Sequence, residues 1–303
     1  MSFDLIIPFL RPIEALLADE TVSEIMCNPD SKCWVERNGF IKAAHHIRFK
    51  EGELNAGLEV IANKFGKQLD ANHPILTVRL PDGSRLSAMI PPVVGPDPLV
   101  NIRKFGCRNY ALTDLVMLDT LSEGMAEKLQ DAVMDRRNIL ISGATGTGKT
   151  TLLNALASEI PHAERIFLIE DTAEIQLKKP HVISSESQSN THKQEISFDT
   201  LLKAALRHRP DRIILGEIRG PEARTLLDAM NTGHDGTLTT IHASSAEGAL
   251  RRIAALAVRS AGQLTIRDAD EEVRSSIDVV VQLARDNGRR IVKEAVSRPE
   301  FRP

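Results

Sequence analysis

The chain has 303 residues, of which 42% are hydrophobic and 26% charged, and its formal net charge is −3. This composition is that of a globular protein, and at roughly 100–200 residues per domain the length favours two domains. Its apolar runs fall short of the ~18 residues that a membrane span needs, and the balanced charge argues against a nucleic-acid-binding protein. We expect Cys27, Cys33 and Cys107 to be reduced thiols of a cytoplasmic protein rather than parts of a disulfide or zinc scaffold.

Residues 1–108 are predicted to form a small α/β domain. Apolar residues at helical spacing near the start predict a helix, which Pro8 and Pro12 interrupt. The dipeptide Asn38-Gly39 predicts a tight turn between two strands, because both residues tolerate a positive φ. The predicted elements are helices over 4–18 and 52–66, hairpins over 33–41 and 75–90, and a strand over 99–104.

Residues 109–303 show a different pattern, in which short apolar strands alternate with helices. Strands that are apolar on both faces and joined by helices favour a parallel sheet covered on both sides. The polar segment 184–195 is predicted to be a loop, and the basic segment 289–303 a solvated tail. The predicted strands are 138–142, 165–169, 212–216 and 237–241, and the predicted helices are 149–159, 198–207, 220–231 and 245–258.

The strongest motif is G-x-x-x-x-G-K-[ST] at residues 143–150, between a predicted strand and a predicted helix, which is the context that this motif requires. Its glycines let backbone N–H groups turn onto phosphate oxygens, and the helix N-terminus adds positive charge. We therefore predict binding of ATP, with Lys149 at the β- and γ-phosphates and the Thr150 hydroxyl as a ligand of Mg²⁺. The predicted nucleotide-binding residues are Gly143, Ala144, Thr145, Gly146, Thr147, Gly148, Lys149, Thr150 and Thr151.

A carboxylate follows the predicted strand 212–216. A Walker B strand usually ends in a metal-organising Asp, but here Gly216 takes that position and Glu217 comes next. We expect Mg²⁺ to be held through Thr150, phosphate oxygens and water, so that Glu217 is left to polarise an attacking water. A solvated carboxylate at a strand end is the alternative for Glu217.

Two further strands carry acids or histidines near their ends. One of Glu170 and Asp171, after strand 165–169, is expected to hold the water shell of the metal or to orient the nucleophile, with helix capping as the alternative for Asp171. His234 and His242 flank the strand 237–241. Either one is a candidate to sense the γ-phosphate or to bond Glu217, and a packed or surface histidine is the alternative.

Taken in order, these segments resemble the hexameric ATPases of type II and type IV secretion, pilus assembly and conjugation. Within that family the chain is most similar to the conjugal-transfer (Trb-type) and tight-adherence branches. The segments that carry the resemblance are the P-loop at 143–150, an acidic box at 165–174, a block at 206–219 and a histidine box at 233–244.

The resemblance implies a RecA-like P-loop NTPase domain with a parallel sheet, preceded by a smaller PAS-like α+β domain. It also implies a homohexamer and ATP-driven motion at the inner face of the cytoplasmic membrane. The implied partners are inner-membrane components of a secretion, conjugation or pilus machine, and the charge predicts no direct binding of nucleic acid.

The same resemblance implies that arginines of the N-terminal domain reach the phosphates. Arg85 and Arg103 match those positions, with Arg79 and Lys104 as further candidates. A guanidinium placed on a transferring phosphoryl group is worth ~10³–10⁵ in rate. A solvated surface charge or a structural ion pair is the alternative for each of them.

Three other functions remain as alternatives to an ATP-hydrolysing motor. A RecA-like nucleic-acid translocase needs aromatic residues on which bases stack, and only 4% of this chain is aromatic. A small-molecule kinase would need an acceptor domain, for which the sequence gives no sign. A non-hydrolysing scaffold is disfavoured because Lys149 and Glu217 are both present.

Overall fold

The computed structural model describes residues 6–30, 32–37, 40–105, 109–188, 196–260, 264–298 and 301. The fold is mixed α/β, and the chain divides into two compact units, Met1–Arg108 and Asn109–Pro303. Within the described ranges, every helix is too short or too polar to cross a membrane.

The N-terminal unit contains an antiparallel sheet of six strands in the order β3-β2-β1-β6-β5-β4 among its described residues. The predicted first helix is broken, because Pro8 and Pro12 each lie at the second position of a separate 3₁₀ turn before α1 begins. The elements are α1 (Glu14–Ala18), β1 (Val22–Cys27), β2 (Cys33–Arg37), β3 (Phe40–Ala43), α2 (Glu53–Lys64), β4 (Ile75–Arg79), β5 (Arg85–Met89) and β6 (Leu99–Arg103). The predicted turn at Asn38-Gly39 and the residue Cys107 lie outside the described residues.

One face of this sheet is covered by α2. Leu58 and Ile61 of that helix are fully buried with Ile25, Leu86 and Ile102 of the strands. Side chains alternate between the two faces of a strand, so the neighbours of these buried residues point the other way. Polar side chains of β5 and β6 therefore lie on the opposite face of the sheet.

Arg85 and Arg103 lie on that opposite face. They are directly opposite one another across β5 and β6, and both are exposed. Lys104 is used differently, since its Nζ donates to the backbone carbonyl of Asp19 at 2.7 Å. The structure therefore gives Lys104 a structural contact within the N-terminal unit.

The C-terminal unit contains a sheet of seven strands in the order β13-β12-β7-β11-β10-β8-β9 within its described part. Every neighbouring pair is parallel except β12 and β13, which are antiparallel. The strands are β7 (Ile139–Ser142), β8 (Ile166–Glu170), β9 (Val182–Glu186), β10 (Arg212–Leu215), β11 (Leu238–Ile241), β12 (Val279–Asp286) and β13 (Arg289–Ser297). The helices are α3 (Leu112–Met117), α4 (Glu123–Met134), α5 (Lys149–Glu159), α6 (Phe198–Ala205), α7 (Glu222–Asn231), α8 (Ala246–Ser260) and α9 (Ile266–Ser276).

Apolar side chains of β7 pack on both faces of this sheet. Leu140 belongs to one buried cluster, with Leu226 of α7 and Leu250 of α8. Ile139 and Ile141 belong to another cluster, which includes side chains of α4 and α5. Full burial of one such side chain stabilises the fold by about 1.5–3 kcal/mol. The strand is therefore fixed from both sides at the point where the P-loop begins.

Two predictions for this unit are wrong. The segment 184–195 is not entirely a loop, because Val182–Glu186 forms the edge strand β9, parallel to β8; residues 189–195 lie outside the described part of the chain. The segment 289–303 is not a solvated tail, because Arg289–Ser297 pairs with β12 along its whole length. Asn287 and Gly288, with φ of +46° and +82°, form the turn of that hairpin.

Candidate nucleotide-binding site

Four adjacent parallel strands end at one edge of the C-terminal sheet. The P-loop follows β7, His242 follows β11, Glu217 comes two residues after β10, and Glu170 is the last residue of β8. Carboxyl ends of parallel strands converge on the ligand crevice in sheets of this kind. The topology therefore brings together the residues that the motifs had singled out separately.

The P-loop backbone depends on its glycines. Gly146 and Gly148 have φ of +73° and +96°, and Gly148 precedes the first residue of α5. A Cβ atom on Gly143 would lie 2.5 Å from Thr147 Oγ1 and 2.9 Å from the Leu283 carbonyl oxygen, so the loop has no room for one. A loop of this shape at a helix N-terminus fits a phosphate group.

Lys149 is buried inside this loop. Its Nζ donates to the carbonyls of Gly143 and Ala144 at 3.0 and 3.1 Å, and it lies 3.2 Å from His242 Nδ1. Thr147 Oγ1 also donates to the Ala144 carbonyl, at 2.9 Å. The ammonium group is thus held at the mouth of the loop, next to the end of β11.

Glu217 is held on both of its oxygens. His242 Nε2 lies 3.1 Å from Oε1, and Arg219 Nη2 donates to Oε2 at 2.8 Å. Arg219 also donates to Asp171 at 2.5 Å, so it connects the carboxylates that follow β8 and β10. Asp171 caps no helix, since the next element of the described chain after β8 is β9.

The contacts of His242 define its protonation. A lysine ammonium has only donors, so Nδ1 of His242 accepts from Lys149 and Nε2 carries the proton that it donates to Glu217. Burial and the charge of Lys149 lower the pKa of His242 below its ordinary 6.5, against the opposing effect of Glu217. The imidazole is therefore neutral at pH 7 and links Lys149 with Glu217.

Glu170 is buried beneath the loop that follows β8. Its Oε1 accepts backbone N–H groups from Glu174 at 2.9 Å and from Ile175 at 3.0 Å. Burial raises the pKa of this carboxyl to about 7, although the two N–H bonds oppose the rise. Glu170 thus shapes this loop, and its burial favours the protonated form of its carboxyl.

Some predicted residues lie elsewhere. His234 precedes β11 and therefore lies at the opposite end of the strand from His242, away from the P-loop. Its Nδ1 is buried and makes no hydrogen bond with the residues that the structure describes. Two residues that the sequence did not single out, Arg285 and Arg290, contact the P-loop at Gly146. The dipeptide Asn287-Gly288 between them is typical of a hairpin turn, and this was the sequence signal that could have placed both arginines on one hairpin.

A strand, a glycine-rich loop with a buried lysine, a helix, and a glutamate after a neighbouring strand together define a P-loop nucleotide-binding protein. The family model for the type II/IV secretion system proteins matches residues 10–300. The chain belongs to this family, and the predicted resemblance is confirmed.

Individual relatives support the same family assignment. The conjugal transfer protein TrbB of Rhizobium radiobacter is 38% identical over 285 residues, which cover 92% of this chain and 84% of the relative. The type IV secretion system protein VirB11 of Bartonella quintana is 32% identical over 322 residues, covering 94% and 90% of the two chains. These relatives match both units of the chain, since the aligned regions span nearly all of it.

Solved structures show the same fold. The VirB11 ATPase of the Brucella suis type IV secretion system, in complex with sulphate, has a TM-score of 0.53 and 26% identity, covering 99% of this chain and 95% of its own. The ATPase DotB of Legionella pneumophila has a TM-score of 0.66 at 20% identity, covering 94% and 79% of the two chains. At that level of identity DotB shows similarity of fold only.

Proposed function

We propose that this chain hydrolyses ATP and energises, as a homohexamer, a membrane-associated machine for type IV secretion, conjugation or pilus assembly. The observation that carries the proposal is the chain of contacts from Lys149 through His242 to Glu217 at the mouth of the P-loop. It connects a group suited to the terminal phosphates with a carboxylate suited to activating water. The names of the relatives, a conjugal transfer protein and type IV secretion system proteins, support the choice of machine.

Each residue of the site has a separate task in this proposal. Backbone N–H groups of residues 143–151 bind the phosphates, and Lys149 neutralises the charge that develops on the γ-phosphate. Glu217 orients the attacking water. Its oxygens already accept from His242 and Arg219, but a carboxylate has about four lone-pair sites, so it can accept from a water as well.

The magnesium ion is assigned to Thr150. This residue lies in the first turn of α5, directly after Lys149, and is half-buried. A hydroxyl oxygen is the hard ligand that Mg²⁺ prefers, and waters and phosphate oxygens complete such a shell. When bound, Mg²⁺ neutralises charge on the β- and γ-phosphate oxygens. Glu170 is proposed to orient the water shell of the ion from the end of β8.

The two units take different parts. The C-terminal unit is proposed to be the RecA-like ATPase domain, and the N-terminal unit a PAS-like domain of the ring. Arg85 and Arg103 are proposed to supply positive charge to the transferring phosphoryl group. Their position side by side on the face that α2 does not cover supports this role, because two guanidiniums can then act on one anion.

The proposal also includes the assembly of the chain and its location in the cell. Inner-membrane components of the machine are the proposed partners, and they place the ring at the inner face of the cytoplasmic membrane. The test is ATP turnover by the purified chain with Mg²⁺, together with its elution volume on a sizing column with and without nucleotide. Turnover that Lys149→Ala abolishes, in a particle of six subunits, supports the proposal. Wild-type protein without turnover would reject the enzymatic part, and a nucleotide-independent monomer would reject the ring.

A further inference from the structure

The β12–β13 hairpin lies against the P-loop. Gln282 of β12 pairs with Ser142, the last residue of β7, so the next residues of β12 run alongside the loop as it leaves the sheet. The carbonyl of Leu283 closes the space beside Gly143. The hairpin is therefore placed by the register of the sheet.

Two arginines of this hairpin converge on one carbonyl oxygen of the loop. Arg285 donates from Nε and Nη2 to the Gly146 carbonyl at 3.2 and 3.0 Å, and Arg290 donates from Nε to the same oxygen at 3.1 Å. The two arginines are also directly opposite one another across β12 and β13. Like charges in that relation destabilise a strand pair, so their position costs the hairpin stability.

A β-bulge lies in the same hairpin, three residues beyond Arg290. Gln282 pairs with Glu294 and Leu283 with Val292, which leaves Lys293 as an extra residue on β13. Bulges of this kind re-aim the side chains that follow and occur often beside active sites. The bulge lies farther from the turn than the two arginines, so the two-residue turn at Asn287-Gly288 sets the pairing of Arg285 with Arg290 and places both on one face.

The shared carbonyl has a consequence for phosphate binding. Within one trans peptide the C=O and the N–H point in opposite directions. Holding the Gly146 carbonyl toward the hairpin therefore turns the N–H of Thr147 away from the hairpin, toward the other side of the loop. Gly146 has φ of +73° and no side chain, so contacts from outside the loop can fix the orientation of this peptide group.

We propose that Arg285 and Arg290 are positioning residues of the nucleotide site. They fix the peptide between Gly146 and Thr147 so that its N–H is already directed at the phosphate, and they add positive charge beside the loop. This inference rests on the proposed function, because it presumes that the P-loop binds phosphate. It adds a contribution from the C-terminal hairpin to the charges of the P-loop itself.

The experiment is isothermal titration calorimetry of ADP with Mg²⁺ against the full chain and its variants. We expect the double variant R285A/R290A to raise the Kd for ADP at least tenfold. Arg289→Ala is the matched control: it removes an arginine of the same hairpin whose side chain is 73% exposed and lies 3.8 Å from Asp119. Its Kd should stay within twofold of the wild type.

Two further readouts separate positioning from a general loss of structure. Hydrogen exchange of the peptide covering residues 143–150 should be faster in the double variant without nucleotide, while exchange of the core strand β10 is unchanged. In steady-state assays the KM for ATP should rise while kcat changes less than threefold. A double variant that binds ADP as tightly as Arg289→Ala would overturn the inference.

The result also distinguishes this inference from the proposed function. If the wild type itself bound no ADP, the proposed function would fail and the inference with it. If the wild type bound ADP and the variants bound equally well, only the inference would fail. If the double variant does not fold, Arg285→Ala is used in its place, because it truncates a single exposed side chain. We expect this variant to raise the Kd for ADP at least threefold.

Discussion

Glu217 Oε1 lies 3.1 Å from Nε2 of His242, and this contact places the carboxylate under the control of an imidazole whose other nitrogen faces Lys149. Hydrogen bonds to charged groups contribute about 1.5–3 kcal/mol, enough to hold the Glu217 side chain in one orientation. A phosphate that draws Lys149 toward itself would therefore act on His242, and through His242 on Glu217.

Glu217→Gln tests the task assigned to the carboxylate. We expect kcat to fall by about 10²–10⁴, the range typical of a lost general base, because an amide cannot take a proton from water. The Kd for ADP should change less than threefold, since no P-loop residue is altered. Glu271→Gln, at an exposed carboxylate on α9, is the matched control and should keep full activity. Equal kcat for Glu217→Gln and wild type would reject the assignment.

The pH dependence of kcat tests the neutral state of His242. Its pKa lies below 6.5, so protonation on the acidic side adds a positive charge next to Lys149 and removes the acceptor at Nδ1. Activity should therefore fall as the pH drops through that pKa. The informative quantity is the ratio of kcat for wild type to kcat for His242→Asn, in which other titrating groups cancel. We expect this ratio to be largest near pH 8 and to shrink as the pH falls below 6.5 to the acid limit of protein stability, and a constant ratio over that whole range would contradict the account.

The pH dependence of thermal stability tests whether burial raises the pKa of the Glu170 carboxyl. Its pKa is raised from 4.5 to about 7, so this group contributes stability that is fully present below pH 4.5 and is lost as the pH rises from 4.5 to about 7. The difference corresponds to about 3 kcal/mol at most. Glu170→Gln keeps an acceptor oxygen for the two backbone N–H groups but never ionises. Its Tm relative to wild type should therefore be higher at pH 8.5 than at pH 5, and an unchanged difference would show that burial does not penalise the charge.

The two arginines opposite one another on β5 and β6 are expected to act on catalysis. Arg85→Ala and Arg103→Ala should each lower kcat, by up to ~10³-fold if the guanidinium meets the transferring phosphoryl group. Arg37→Ala removes an arginine of the same sheet that pairs with Asp19, and it serves as the control. If all three variants lost activity to the same small extent, the role of Arg85 and Arg103 would be structural.

The sequence predicted β7, β10 and β11 because each is a short apolar run with a helix after it. Ile139–Ser142 and Arg212–Leu215 are buried on both faces, and such strands stand out against their polar neighbours. The P-loop itself was recognisable because its chemistry fixes residue types at fixed spacing. Glu170 and Glu217 lie at one edge as expected, since the carboxyl ends of parallel strands meet there.

Two of the missed regions lie at the edges of the C-terminal sheet, and β1, α3, α4 and α9 were not predicted either. Val182–Glu186 is only half-buried, so it carries few apolar residues and its pattern is that of a loop. The hairpin of β12 and β13 was missed because its second strand is largely polar, although Asn287-Gly288 is a strong turn signal. His234 precedes β11 and His242 follows it, so the two histidines lie at opposite ends of the strand. The direction of the strand was not used to separate them when they were predicted.

Calorimetric titration of ATP with Mg²⁺ into the wild-type chain and into Lys149→Ala tests the central claim, that residues 143–150 bind the triphosphate. We predict clear binding by the wild type and a loss of at least tenfold in affinity for the variant, because Lys149 is the charge held inside the loop. Absence of binding by the wild type, or equal affinity of the two proteins, would contradict the account.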